Sequence, residues 1–145
     1  MIGLIQRVSK ASVAVDGQII GSIDVGLLAL IGVRRGDTPA QANRLAERLL
    51  TYRVFEDDDG KMNLDLTQAG GGILLIPQFT LAADTGKGNR PSFTSAAKPD
   101  QARTLFDDLL AATRSRWDTV AAGRFGANMS VSLVNRGPVT FWLEA

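Results

Sequence analysis

The chain has 145 residues, a length that suits one domain with a full hydrophobic core, which we predict to span residues 1–145. Sixteen Lys and Arg residues balance fifteen Asp and Glu residues, which excludes a strongly basic nucleic-acid coat protein and leaves room for a local basic patch. Cysteine and histidine are both absent, which excludes a disulfide framework, a thiolate nucleophile, an imidazole base and metal sites built from these side chains.

The first third of the chain predicts a β-meander. Its short runs rich in Val, Ile and Leu are Ile2–Val8, Ser12–Val15, Gln18–Ile23 and Leu27–Val33. Asp16-Gly17 indicates a two-residue hairpin, because glycine tolerates the positive φ that such a turn needs. The longest apolar runs are far shorter than the roughly 20 residues that cross a bilayer, and no signal-peptide pattern opens the chain. We therefore expect a cytoplasmic protein with no membrane partner.

Two helices are predicted to pack outside a sheet. The first has Thr38 as its cap and Pro39 in its first turn, followed by an apolar stripe at helical spacing. The second begins near Pro99 and carries a similar stripe. The remaining predicted strands are Val54-Phe55, Ile73–Ile76, Met129–Val134 and Val139–Leu143. This order predicts an α/β fold with a mixed or antiparallel sheet and two main helices.

The acidic run Asp57-Asp58-Asp59-Gly60 has the superficial look of a calcium loop. An EF-hand needs ligands at alternating positions and a glutamate at the twelfth, and this run has neither. We interpret it as an exposed turn, and we predict neither a metal nor a cofactor for the protein.

Three polar segments could carry chemistry. In Pro77–Leu81, directly after an apolar strand, Gln78, Phe79 and Thr80 could line a pocket whose backbone N–H groups stabilise an oxyanion, although a polar turn is the plainer interpretation. Gly137-Pro138 between two strands is usually a plain turn, and about 5–6 % of X–Pro bonds are cis. The glycine-bearing loop with Lys87, Asn89 and Arg90 could bind phosphates or could simply be solvated.

Taken together, these segments resemble the D-aminoacyl-tRNA deacylase family, which is marked by (Ser)-Gln-Phe-Thr-Leu and by Asn-x-Gly-Pro-Val-Thr. They stand here as Pro77–Leu81 and Asn135–Thr140. Similarity continues in the same order through Ile5–Val8, Phe55–Leu64, Lys87–Phe93 and Gly123–Ala127. The resemblance implies a homodimeric hydrolase that cleaves the ester joining a D-amino acid, or glycine, to the 3′ end of tRNA. It also implies a three-layer fold, with two β layers and helices on one face.

The resemblance further implies that each active site lies at the subunit interface. Gln78, Phe79 and Thr80 of one chain would line the pocket. Gly137 and Pro138 of the partner subunit would reach into it through a cis peptide and reject the side chain of an L-amino acid. Arg7 would brace the Gly-Pro loop. The residues that would support the pocket and the loop are Met129, Asn135, Val139 and Thr140. The acceptor end of the tRNA would be contacted by Lys87, Asn89 and Arg90.

The family is described as using RNA-assisted catalysis, in which the 2′-hydroxyl of the terminal ribose helps to cleave the ester. The protein would supply positioning and backbone oxyanion donors. Thr80 could in principle act as a covalent nucleophile, but no base lies beside it in the sequence. Three residues depart from the family pattern, with Pro77 in place of serine, Arg136 in place of a frequent acid and Asn128 in place of a common aspartate. If the serine is essential, Pro77 would reduce activity.

Two other functions stay open at this point. One is the editing domain of some archaeal threonyl-tRNA synthetases, which removes an L-amino acid; an intact Gly137-Pro138 argues against it. The other is a dimeric module that binds the end of an RNA and has lost hydrolysis through Pro77. A purely structural dimer is the weakest alternative, because it leaves the polar Gln78–Thr80 and Lys87–Arg90 segments without a purpose.

Overall fold

The computed structural model describes all residues from 1 to 145. Its strands are β1 (Ile2–Val15), β2 (Gln18–Ile23), β3 (Gly26–Gly32), β4 (Phe55–Glu56), β5 (Met62–Leu64), β6 (Gly72–Pro77), β7 (Val120–Ala122) and β8 (Ser130–Glu144). Its helices are α1 (Pro39–Thr51), α2 (Leu66–Ala69) and α3 (Pro99–Arg114), with a 3₁₀-helix over Phe79–Ala82. None of these helices has the length and apolar character needed to span a membrane.

Six strands form one mixed sheet around the long strand β1. One edge of β1 pairs in succession with β3 and then β2, both antiparallel, and its other edge pairs with β8. Beyond β3 the sheet continues through β6 and β7, which are parallel to it. Strands β4 and β5 form a separate two-stranded hairpin. The α/β class with a mixed sheet is therefore confirmed.

The sheet buries a different core on each face, because successive side chains of a strand point to opposite sides. Leu27, Ala29 and Ile31 of β3 pack in the core that also contains the apolar stripes of α1 and α3. Leu28 of β3 and Leu74 of β6 face the other way, into a second core shared with the distal half of β1 and with Ile23 of β2. The result is a layer of helices on one face of the sheet and, on the other face, a second core to which the distal half of β1, β2 and β8 contribute.

The hairpin and the helix start that the sequence predicts are confirmed. Asp16 and Gly17 both have positive φ, of 50° and 78°, as a two-residue turn of this kind requires. Helix α1 begins after Thr38, whose backbone N–H donates to Gln41 Oε1 at 2.7 Å. Helix α3 begins at Pro99.

Two predicted strand boundaries are wrong. Residues 2–15 form one continuous strand, because its pairing with β8 resumes after irregularities between Gln6 and Lys10. Residues 130–144 are likewise one strand, which keeps its pairing with β1 on both sides of a bulge. The short elements β5, β7, α2 and the 3₁₀-helix have no equivalent among the predicted elements, since three or four residues carry too little periodicity to indicate one.

Candidate active site

Residues Gln78, Phe79 and Thr80 form a corner directly after the buried strand β6 ends. Strand β6 is apolar and buried up to Ile76, and the backbone N–H of Gln78 donates to the carbonyl of Ile31 at 2.7 Å. The chain then turns into the 3₁₀-helix, which lies close against the end of β3. A Cβ added at Gly32 would lie 2.9 Å from Leu81 Cβ, so only glycine allows this approach without a shift. The corner is therefore fixed from below by the sheet.

The corner leaves backbone donors free. The N–H groups of Phe79 and Thr80 find no acceptor in the chain, as is usual for the first residues of a helix. The side-chain amide of Gln78 donates to Thr80 Oγ1, so the threonine hydroxyl contacts no carboxylate and no amine. The predicted residues Gln78, Phe79 and Thr80 thus lie together and offer hydrogen-bond donors rather than a nucleophile with a base.

A cavity of about 500 Å³ opens beside this corner. Its walls come from the end of β6, the start of α3, the 125–129 segment and β8, and they comprise Ile76, Pro77, Gln78, Phe79, Ala97, Pro99, Ala102, Phe125, Gly126, Ala127, Asn128, Met129 and Val131. None of these side chains is titratable. The cavity therefore offers space for a small group, and its walls supply no general acid or base.

Met129 lines the cavity, where the resemblance placed it. Its sulfur accepts the backbone N–H of Arg124 at 3.3 Å, and a Cβ at Gly123 would lie only 2.7 Å from the same sulfur. The missing side chain at Gly123 therefore makes room for Met129, and the Arg124 N–H orients it.

Pro77 lies at a position where the sheet needs no N–H donor. The hydrogen bond to β3 comes from Gln78, one residue later. On the other side the pairing with β7 ends at Leu75 and Ala122, so residue 77 lies beyond the last partner. Proline is tolerated at such places, and its ring lines the cavity. The departure from the family's serine thus leaves the backbone of the corner intact.

The predicted tRNA-binding residues Lys87, Asn89 and Arg90 lie in an exposed loop next to the corner. The loop is closed at its base by two backbone hydrogen bonds between Asp84 and Ser92, of 2.7 and 2.9 Å. Neither Lys87 nor Arg90 forms an ion pair. The arrangement presents two positive charges that no carboxylate neutralises.

The predicted Gly-Pro motif forms a bulge of β8. Gln6 of β1 pairs with Thr140 and Val8 pairs with Asn135, so only Arg7 opposes the residues 136–139. The bond between Gly137 and Pro138 is cis, as the resemblance implies. Both residues are exposed, and the bulge therefore projects from the sheet.

The residues on both sides of the bulge are joined by hydrogen bonds across its base. Asn135 Oδ1 accepts the backbone N–H of Val139 at 3.0 Å, and Asn135 Nδ2 donates to Thr140 Oγ1 at 3.0 Å. Gln6 Nε2 donates to the same threonine oxygen at 3.3 Å. The predicted supporting residues Asn135, Val139 and Thr140 are thus part of one hydrogen-bonded frame.

Arg7 braces the bulge from underneath and is almost fully buried. Its Nε donates to the carbonyl of Arg136 at 3.1 Å, and its Nη1 donates to the carbonyl of Val54 at 2.8 Å. Its Nη2 lies 3.3 Å from a carboxylate oxygen of Glu56. Arg7 therefore ties the bulge to strand β4. The sequence indicated a role for Arg7 and none for its anchors Val54 and Glu56, which lie about fifty positions away in the chain.

Within one chain the bulge and the corner lie apart. Neither Gly137 nor Pro138 lines the cavity beside Gln78, and the strands β1 and β3 separate β8 from β6 in the sheet. Of the residues that line the cavity, Phe125 and Asn128 belong to segments noted in the sequence without a site role, whereas Ala97, Pro99 and Ala102 give no signal in a sequence.

The charged groups with shifted pKa values lie outside the cavity. Hydrogen bonds from Asn63 and from the backbone of Lys61 and Asp59 lower the pKa of Asp57, which confirms an exposed turn closed on itself. The hydrogen bond from Arg34 lowers the pKa of Glu144 to about 2. No group of three or more acidic, cysteine or histidine side chains is placed to hold a metal ion.

The sequence profile described as D-Tyr-tRNA(Tyr) deacylase matches residues 4–144. The D-aminoacyl-tRNA deacylase of Thioalkalivibrio sulfidiphilus (strain HL-EbGR7) is 64 % identical over 99 % of this chain and 97 % of its own length. That of Methylococcus capsulatus (strain ATCC 33009 / NCIMB 11132 / Bath) is 60 % identical over 99 % of this chain and 94 % of its own length.

Solved structures share the fold. A protein described as a c-Myc DNA unwinding element binding protein superposes with a TM-score of 0.95 at 36 % identity, covering 100 % of this chain and 99 % of its own. A probable eukaryotic D-amino acid tRNA deacylase superposes with a TM-score of 0.81 over 99 % of this chain and 98 % of its own. At 17 % identity this second likeness bears on the fold alone.

Proposed function

We propose a mechanism from the premise that the chain belongs to the D-Tyr-tRNA(Tyr) deacylase family; the chain is a hydrolase that acts as a D-aminoacyl-tRNA deacylase. Water attacks the carbonyl carbon of the ester, and the 2′-hydroxyl of the terminal ribose assists this attack. The tetrahedral intermediate collapses to the free amino acid and the tRNA. The backbone N–H groups of Phe79 and Thr80 stabilise the oxyanion of that intermediate.

One observation carries this mechanism. The cavity is lined by Phe79, whose backbone N–H is free, and it has no titratable side chain in its walls. Thr80, with the second free N–H, is the next residue along the chain and lies just outside the lining. An ester of an amino acid is already reactive, so positioning and oxyanion stabilisation are sufficient aids when the substrate brings its own hydroxyl. A covalent role for Thr80 has no support, because the side-chain hydrogen bond of its hydroxyl comes from the amide of Gln78, which is not a base.

The active site in this proposal is completed by a second copy of the chain. The bulge around Gly137 and Pro138 projects into solvent and does not reach its own cavity. Strand β8 pairs on one edge only and leaves Val134, Phe141 and Trp142 exposed. A free strand edge and exposed large apolar side chains are typical of a surface that another chain covers. In the homodimer the bulge of one subunit enters the cavity of the other.

Chirality is then selected by exclusion. Hydrogen bonds of Arg7, Asn135 and Thr140 fix the bulge. It therefore cannot move aside for a substrate whose side chain points toward it. An L-amino acid would clash with the backbone of Gly137 and Pro138, whereas a D-amino acid directs its side chain elsewhere. Glycine has no side chain to reject, and we propose that glycyl-tRNA, including glycine mischarged on tRNA-Ala, is also cleaved.

The remaining proposals follow from the substrate. Lys87, Asn89 and Arg90 contact phosphates near the acceptor end of the tRNA, where a net charge of only +1 limits the footprint to a few nucleotides. The protein acts in the cytoplasm, where charged tRNA is made and used, and its residues 1–145 work as one domain.

The experiment that tests this function compares hydrolysis of D-tyrosyl-tRNA, L-tyrosyl-tRNA and glycyl-tRNA by the purified, metal-free protein. We expect rapid loss of the D ester and of the glycyl ester while the L ester survives. Equal rates for the two enantiomers would show that the bulge does not filter them. Retention of all three esters would remove the proposed mechanism altogether.

A further inference from the structure

Two aromatic rings stand exposed beside the corner. Phe79 is 58 % exposed and Phe93 is 41 % exposed. Their ring centroids are 5.1 Å apart, and the rings are inclined by 48°. Nothing in the chain covers this pair, although large aromatic side chains are normally buried for most of their surface.

The pair occupies a particular place between two functional segments. Phe79 follows Gln78 at the edge of the cavity, and Phe93 follows the loop that carries Lys87 and Arg90. These two cations have no acidic partner. Asp84, at the base of the loop, accepts the backbone N–H of Gly86 at 2.9 Å. An exposed aromatic surface beside unpaired cations is the combination with which proteins bind single-stranded nucleic acid.

We propose that the Phe79–Phe93 pair is a stacking platform for the base of the unpaired nucleotide that precedes the terminal adenosine of the tRNA. This inference rests on the proposed function. The terminal adenosine and its amino acid occupy the cavity, the preceding base lies on the aromatic pair, and its phosphate meets Lys87 or Arg90. Stacking tolerates any base, so the platform orients the RNA end without selecting a sequence.

The test compares a substrate that lacks the nucleotide preceding the terminal adenosine with one that contains it. One is D-tyrosyl-adenosine, which ends at the ribose. The other is a D-tyrosylated minihelix, whose unpaired 3′ end includes the preceding nucleotides. The variant Phe93→Leu removes the aromatic ring and keeps most of the apolar volume, and Phe93→Trp restores an aromatic surface. Sedimentation of each variant reports the oligomeric state.

We expect Phe93→Leu to lower kcat/KM for the minihelix at least about fivefold, the lower end for losing one stacked base, and to leave kcat/KM for D-tyrosyl-adenosine unchanged. Phe93→Trp should keep the minihelix rate. An equal fall for both substrates, no fall for either, or dissociation of the Phe93→Leu protein would overturn the platform. If the unaltered protein cleaves neither substrate, the proposed function fails and the platform fails with it; cleavage of both with no difference between variants removes the platform alone.

Discussion

The corner at Gln78–Thr80 and the bulge at 136–139 are the two regions that the mechanism requires, and they are held in different ways. The corner is fixed by its backbone against β3 and leaves donors and an aromatic side chain free. The bulge is held through two of its polar groups, the carbonyl of Arg136, which accepts from Arg7, and the N–H of Val139, which donates to Asn135. In the proposed mechanism this difference separates rate from selectivity, since the corner would stabilise the reaction and the bulge would exclude the wrong substrate.

The largest expected effect tests whether the substrate's 2′-hydroxyl, and not a side chain of the corner, assists the reaction. A substrate that lacks the 2′-hydroxyl of its terminal ribose should be cleaved about 10²–10⁴-fold more slowly, the typical contribution of a positioned proton-transfer group. Thr80→Ala with the natural substrate should cost less than about tenfold, whereas losing a covalent nucleophile costs on the order of 10⁶-fold in a serine protease. Single-turnover rates with both substrates decide between these roles, and a larger loss from Thr80→Ala than from the missing hydroxyl would contradict the substrate-assisted reaction.

The next effect tests the free donors of the corner. Phe79→Pro deletes one N–H, and the first position of a helix accommodates proline. With D-tyrosyl-adenosine as substrate we expect kcat to fall about 10²–10³-fold, the cost of removing one oxyanion donor. Phe79→Leu is the matched control, because it loses the ring and keeps the N–H, and it should retain most of the rate. Similar rates for the two variants would exclude the backbone donor.

A smaller effect is expected from a substitution that displaces the bulge and leaves the corner unchanged. In Gly137→Ala the new Cβ would lie 2.7 Å from Val139 Cγ2 at a φ of +135°, and relieving a strain of about 1–3 kcal/mol displaces the bulge. We expect the preference for the D over the L ester to fall about tenfold or more. Gly60→Ala also adds a Cβ at positive φ, but in open space. It should leave the preference unchanged, and a parallel fall in both variants would assign the effect to general destabilisation.

The smallest effect concerns the brace. Arg7→Lys keeps the charge and loses the fork that reaches Val54, Glu56 and Arg136 at once. Leaving a buried carbonyl without its donor costs about 1–3 kcal/mol, so the free energy of unfolding should fall by that amount and the L ester should be cleaved faster. Arg53→Lys, at an exposed residue that precedes β4 and donates to Asn63, should change neither quantity in denaturant unfolding and enantiomer assays. An unaltered D preference in Arg7→Lys would show that the bulge does not need its brace.

Much of the fold could be predicted from the sequence, because its signals are local. The Asp16-Gly17 turn, the Thr38 cap and the apolar stripes of the two helices each act within a few residues. The site could be predicted as two motifs. Their separation in one chain came only with the family resemblance, because it depends on the strand order and not on the residues themselves. The anchors of Arg7, which come from a distant strand, could not be predicted. The cavity walls from Ala97 and Ala102 carry no chemical signal at all.

The central claim is that each active site combines the corner of one subunit with the bulge of the other. Mixed dimers of Phe79→Pro and Gly137→Ala subunits, isolated through two different affinity tags, test it directly. One of their two sites would then have an intact corner facing an intact bulge. The account predicts that mixed dimers cleave D-tyrosyl-tRNA and spare L-tyrosyl-tRNA. Cleavage of the L ester as readily as by the Gly137→Ala homodimer would place both regions of the site in the same chain and would contradict the account.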